Sequence, residues 1–284
     1  MHRRVILNHR LLDFARARLP ANTSAALHGR GVFTTLAVYG GRPFLWREHW
    51  TRLVEHAARA GVDLASIEEE KVSASLARLL AANEVERGRA RITLMARAVR
   101  GLWKTQSADG LATDVLITTG AASPFFEQGL ALTVSPYRTN TLSPLAGLKS
   151  VNFLEQILSW EEARARDFDE AVRLNERGEV VSATLANLFW VKDGTLYTPA
   201  LSTGALAGTT RARLLVLAEE MAVPFVEGVY DLSDLGGADE IFITSAVLGV
   251  RLVTSFDYRR YSVPMASVAL HLREAFRQLT LAGA

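Results

Sequence analysis

An α+β fold is the class this sequence predicts, on three observations. Strand-like and helical segments mix without strict alternation, and Gly40-Gly41 and Asp193-Gly194 each join two strand-like runs as hairpin turns do. No internal repeat or low-complexity tract interrupts them. Taken in order, residues 31–46 read as two short strands around Gly40-Gly41. Residues 48–60 turn helical, with Leu53, Val54, Ala57 and Ala58 on one stripe. Ser66 and Glu69 have the spacing of a capping box, opening a helix that carries Val72, Leu76, Leu79 and Leu80. Ile92, Leu94, Ala96 and Ala98 then interleave with Arg91, Thr93, Met95 and Arg97, a period of two that predicts a strand with one polar face. The run 121–129, AASPFFEQG, breaks the pattern and predicts a boundary between two domains. Beyond it, strand-like stretches at 130–135, 171–174, 187–197 and 241–246 are separated by helical ones, and 268–281 reads as a closing amphipathic helix.

Composition narrows the function. A chain of 284 residues suits one large or two moderate domains. The 32 basic and 30 acidic residues leave a formal charge of +2, too small a surplus for a broad nucleic-acid or membrane-surface footprint. Arg3, Arg4, Arg10, Arg16 and Arg18 make the start of the chain basic, without the apolar core of a signal peptide. No apolar run reaches the roughly 18 residues of a membrane span. The absence of cysteine excludes disulfides, thiolate nucleophiles and iron–sulfur clusters. A cytoplasmic enzyme with a small-molecule substrate is the expectation. His49 and His56 lack metal-ligand spacing and read as satisfied or exposed histidines, so no metal is expected.

Two features point to chemistry. Lys149 is the only charged residue between Arg138 and Glu155. Apolar neighbours lower an amine's pKa and make it a nucleophile and Schiff-base former; the alternative is a lysine snorkelling from a loop. Residues 203–211, TGALAGTTR, lead into a helical run with Leu214, Leu217, Ala218 and Met221 in phase. Small and hydroxyl residues before a helix suit a phosphate cradle, or simply a turn with a Thr N-cap. A desolvated lysine plus a phosphate cradle is what a pyridoxal phosphate enzyme requires.

GLKSVNFLEQIL, DEAVRLNERGEVV, ANLFWVKDGTLYTP and GALAGTTR, with GRGVFTT, HWTRL and EIFITSA, resemble the class IV aminotransferase family over nearly the whole chain. The resemblance implies the two-domain fold-type IV architecture of D-amino-acid aminotransferases: a smaller domain at 1–121, a linker at 122–129 and a larger cofactor-binding domain at 130–284, with the cofactor between them. It also implies pyridoxal 5'-phosphate and a homodimer. Lys149 takes the cofactor aldehyde and shuttles a proton. Arg52 clamps the phosphate, with an i,i+4 pairing to Glu48 as the alternative. Gly208, Thr209, Thr210, Ser245 and Ala246 complete the cradle. Arg97 is the substrate-carboxylate clamp, with a surface salt bridge as the competing role. Ser182 stands where the family usually has a glutamate against the cofactor's ring nitrogen, and Glu179 is turned to the opposite face by strand alternation.

FTT, LAGLK-x-x-N-x-LEQ-x-L and ANLFW are most similar to the 4-amino-4-deoxychorismate lyases of that family. That implies cleavage to 4-aminobenzoate and pyruvate for folate synthesis. Branched-chain or D-amino-acid transamination is the alternative. A non-catalytic cofactor-binding protein is the third reading, kept by Ser182 and by Arg30 in place of an acidic residue.

Overall fold

GVFTTLAVY, rich in β-branched and aromatic side chains, forms a nine-residue strand at Gly31–Tyr39 that is buried along most of its length. It belongs to a computed structural model that describes residues 1–97, 113–122, 129–261 and 267–282. Contacts divide these into two units. One comprises 1–97, 113–122 and 148–152; the other comprises 129–147, 153–261 and 267–282. The expected division put Lys149 in the second domain, whereas the contacts group 148–152 with the first unit. Most of the expected linker, and Ala98, lie outside the described residues.

The first unit contains β1 (Arg4–Leu7), β2 (Arg10–Asp13), α1 (Ser24–His28), β3 (Gly31–Tyr39), β4 (Arg42–Pro43), α2 (Trp46–Arg59), α3 (Glu69–Ala82), β5 (Arg87–Ala96) and β6 (Thr113–Ala121). The six strands form one antiparallel sheet in the order β2-β1-β6-β5-β3-β4. Gly40 and Gly41, with φ of 54° and 71°, supply the left-handed pair that closes the β3–β4 hairpin. On β5, Ala90, Ile92, Leu94 and Ala96 are buried with Leu36, Leu53, Leu76 and Leu79 from β3, α2 and α3.

Of two local expectations, one fails and one holds in part. The capping box at Ser66 and Glu69 does not form, because Glu69 accepts from Trp46 Nε1 at 2.8 Å and the helix starts at Glu69 without a side-chain cap. On α2 the buried face is His49, Leu53, His56 and Ala57, so Leu53 and Ala57 of the predicted stripe are buried while Val54 is half-buried and Ala58 is exposed.

The second unit contains β7 (Leu130–Val134), α4 (Leu154–Ala165), β8 (Glu170–Leu174), β9 (Val180–Ala183), β10 (Asn187–Lys192), β11 (Thr195–Pro199), α5 (Thr209–Glu220), β12 (Phe225–Gly228), α6 (Leu232–Gly236), β13 (Glu240–Ser245), β14 (Gly249–Phe256), β15 (Arg259–Arg260) and α7 (Val268–Leu281). Its mixed sheet runs β12-β11-β10-β13-β14-β7-β8-β9, with β15 on β14. Asp193 and Gly194, both at positive φ, turn β10 into β11 as the sequence predicts. α4 packs on β7 and β8, α5 on β13, and α7 on β13 and β14. Leu132, Val172, Leu188, Trp190 and Ile243 lie in the core. The helix after GALAGTTR begins at Thr209 with Gly208 as its N-cap, so the Thr N-cap does not occur, and Met221 lies one residue past the helix, partly exposed. No helix among the described residues is long and apolar enough to cross a membrane.

Candidate active site

In the first unit the chain around Lys149 runs as an extra extended segment beside β3. Phe33 N donates to Lys149 O at 2.9 Å, Val151 N donates to Gly31 O at 3.0 Å, and Val32 bridges Ser150. Lys149 N donates to His56 Nδ1 at 3.0 Å. A backbone N–H only donates, so His56 carries no proton on Nδ1. Residues 49, 52, 53 and 56 of α2 share one helical face, which places His49 and Arg52 beside the same segment. The Thr34 hydroxyl lies 2.6 Å from His49 Nδ1 and accepts from Arg52 at 3.2 Å. The predicted Lys149 and Arg52 thus come together, with Thr34, His49 and His56, which sequence reasoning did not assign.

The electrostatics of this cluster are those of buried cations. Part of the Lys149 side chain reaches solvent, yet burial, then the charges of Arg52 and Arg91, push its amine down to about 7. Burial, then Arg52 and Lys149, hold His49 down at about 3; burial, then Arg52, Arg59 and Lys149, hold His56 at about 4, so both are neutral near pH 7. Burial pushes Arg52 down to about 10. Such a cluster favours an anion and keeps an amine unprotonated near neutrality.

Arg91 was noticed in the sequence only as part of a polar face. Its guanidinium carbon lies 3.5 Å over the Phe33 ring, and Lys149 Nζ lies 5.1 Å from the same ring centre. Among the described residues no carboxylate pairs with Arg91, and burial lowers its pKa. Arg97 takes the other role the sequence left open. It pairs with Asp114 at 2.8 Å, and that buried carboxylate also accepts from Asn8 at 2.7 Å.

The second unit carries the remaining predicted residues. Gly208, Thr209 and Thr210 open α5, and the first N–H groups of a helix lack partners within it. A Cβ at Gly208 would stand 2.0 Å from Asn187 Oδ1, so a larger residue there would have to displace the Asn187 amide. Asn187 also donates to Leu206 O at 2.8 Å and pairs in register with Thr244, whose buried hydroxyl has no hydrogen-bond partner. Ser245 and Ala246 follow at the end of β13, where Ser245 Oγ accepts from Leu248 N at 3.2 Å. Asn187 and Thr244 are further residues that sequence reasoning missed.

On β9, Ser182 Oγ donates to Ala183 O at 2.7 Å. Glu179, the other carboxylate weighed in the sequence, is engaged elsewhere. Its oxygens accept from Arg177 at 2.9 and 2.7 Å and from Asn175 at 2.6 Å, which hold it down at about 2. Among the described residues no group of three or more histidines and carboxylates is placed to hold a metal.

The family model for class IV amino-transferases matches residues 31–256, spanning both units. The chain belongs to the class IV aminotransferase family. Its α+β architecture is that of fold-type IV. The Escherichia coli branched-chain amino acid aminotransferase superimposes with a TM-score of 0.90 at 25% identity, over 99% of this chain and 95% of that one. A Methanocaldococcus jannaschii protein provisionally named a branched-chain-amino-acid aminotransferase is 30% identical, over 97% of this chain and 96% of its own. The aminodeoxychorismate lyase of Bacillus subtilis is 29% identical, over 90% and 88%. Within this class IV chain, Lys149, Arg52 and Arg91 are cations that the first unit gathers near Phe33 and Thr34.

Proposed function

We propose that this class IV enzyme is a pyridoxal phosphate-dependent 4-amino-4-deoxychorismate lyase that releases 4-aminobenzoate and pyruvate. The cofactor is pyridoxal 5'-phosphate, which when bound withdraws electrons from the carbon beside the substrate nitrogen. This chain's residues suit it. The Lys149 amine, held near a pKa of about 7, is fit to bind an aldehyde and then to move a proton. The N–H groups at the start of α5, which has Gly208 as its N-cap, suit phosphate. Arg52, Thr209, Thr210, Ser245 and Ala246 are assigned to the same phosphate, and Thr244 is added to them.

Arg91 is assigned the substrate carboxylate in place of Arg97, whose charge Asp114 already takes up. Lys149 removes the proton from the ring carbon bearing the amine. That electron pair enters the ring as the bond between ring carbon and enol oxygen breaks, and the departing enol takes up a proton to become pyruvate. A homodimer and a cytoplasmic location belong to the same proposal.

One observation carries the lyase over the transaminase. By the family resemblance, the neutral Ser182 of β9 stands where a carboxylate would hold a proton on the cofactor nitrogen, and Glu179 is committed to Arg177 and Asn175. Elimination tolerates a weaker electron sink because the ring becomes aromatic. Incubation of the cofactor-loaded protein with aminodeoxychorismate should yield 4-aminobenzoate, and Lys149→Ala should abolish it. No product from a loaded, yellow protein would reject the lyase. Branched-chain or D-amino-acid transamination is the second reading, favoured by the 30% identity to the Methanocaldococcus protein over 97% of this chain. Its test is an amino-donor screen with 2-oxoglutarate or pyruvate.

A further inference from the structure

β8 and β9 are antiparallel neighbours with Arg173 directly opposite Ser182. Residues so paired point to the same face of a sheet, with Cβ atoms roughly 4.5–5.5 Å apart. Arg173 is 4% exposed. One terminal nitrogen is held by Glu155 on α4, and the Gln156 amide oxygen, oriented to satisfy both its ends, accepts from the other at 3.3 Å. Its buried Nε has no hydrogen-bond partner.

The acidic groups around this guanidinium offset its charge only in part. Glu155 is 53% exposed, so water screens it. Glu170, at the start of β8, accepts from Ala171 N, Thr184 N, the Thr184 hydroxyl and Leu185 N, and burial pushes it up to about 7. Elsewhere on α4, Glu162 pairs with Arg166 and Arg164 with Asp169. Glu161 is the remaining charge there, two turns along from Glu155. β7 and β9 carry no charged side chain, and Lys192 ends β10 paired with Asp239.

We propose that Arg173 and Ser182 together form the surface that meets the ring nitrogen of the cofactor, and that they keep this nitrogen unprotonated. The proposal rests on the cofactor assigned above and on the resemblance that puts Ser182 at that nitrogen; it does not depend on the reaction being a lyase. A carboxylate stabilises a proton on the nitrogen; a neighbouring guanidinium opposes one. The Ser182 hydroxyl suits a bare nitrogen, because rotating its hydrogen away from Ala183 O donates it to the nitrogen lone pair without moving Oγ. Arg173 is a positioning residue in this scheme, acting on the nitrogen through its charge.

The test is nitrogen NMR of the protein loaded with pyridoxal phosphate carrying ¹⁵N in its ring, titrated from about pH 5 to 9. The wild type should show the resonance of a neutral pyridine near pH 7. Arg173→Leu should raise the nitrogen's pKa by about one to three pH units, and Ser182→Glu should carry the resonance to the pyridinium position. Arg173→Gln, which keeps a polar group of similar reach without the charge, should behave as Arg173→Leu does if charge is the cause. A pyridinium resonance in the wild type near pH 7 would overturn the proposal. So would an unchanged titration in both Arg173 variants. Visible absorbance before the titration reports whether the cofactor binds, which tests the assignment of the cofactor separately from the state of its nitrogen.

Discussion

The Phe33 ring is the small piece of surface on which the two most consequential cations of the first unit meet. Arg91 lies over it at 3.5 Å and Lys149 at 5.1 Å. Burial disfavours the charged form of both. Arg91 is among the causes that lower Lys149, and no carboxylate of the described residues compensates Arg91. In the proposed reading a substrate carboxylate pairs with Arg91, so Arg91→Leu should raise KM about tenfold to a hundredfold, the range of a charge-assisted hydrogen bond. Arg97→Leu should change KM much less. Initial rates at varied substrate for both variants check this. Equal effects would return the clamp to Arg97. His56 belongs to the same scale, because its ring accepts the N–H of Lys149 and so fixes where the lysine leaves the chain.

At the scale of elements, helix starts decide what is fixed and what is left open. α7 begins at Ser267, whose buried hydroxyl accepts from Leu270 N and donates to Glu240, while Glu240 also takes Val268 N and Ala269 N. α5 has no side-chain cap, and its N-cap glycine lies against Asn187. In the proposed reading, a helix start without a side-chain cap suits an anion. α3 starts without a cap as well, because Trp46 occupies Glu69. Ser66→Ala should therefore change stability by less than about 0.5 kcal/mol. Ser267→Ala should cost about 1–2 kcal/mol. Denaturant midpoints of the two variants measure the contrast, and a Ser66 effect as large as that of Ser267 would mean that the capping box forms in solution.

Over the whole molecule, the shifted groups make stability depend on pH. His49 and His56, pulled from 6.5 to about 3 and 4, bind fewer protons folded than unfolded across that window, so stability rises with pH there. Lys149, pulled from 10.5 to about 7, has the same sign between about 7 and 10.5. Glu170, raised from 4.5 to about 7, works the other way, losing stability as pH rises through its own window. Two histidines outweigh one glutamate up to about 6.5. The Tm of the cofactor-free protein should therefore be higher at about pH 9 than at about pH 5. His49→Leu should flatten the acid side of the profile. A Tm that falls across this range would show that the buried cations of the first unit do not set the profile.

Much of this was legible in the sequence because it is local. The two hairpins follow from Gly40-Gly41 and Asp193-Gly194, whose backbone preferences act over two residues. The β5 strand follows from its alternation, and Lys149 stands out because no other charge lies near it along the chain. Arg91, Asn187, Thr244 and Arg173 gave no comparable signal. Each looks like an ordinary polar residue of a strand until its neighbour in space is known: Phe33 beside Arg91, Gly208 against Asn187, Ser182 opposite Arg173. The sequence by itself determined the mixed fold class and singled out Lys149 and the helix start near Thr209, since these depend on spacing and composition. Only the tertiary structure decided which cations have a carboxylate partner, as Arg97 does, and which among the described residues have an aromatic ring and a hydroxyl instead, as Arg91 does. That difference depends on desolvation and on partners far away in the chain, and neither is a property of local sequence.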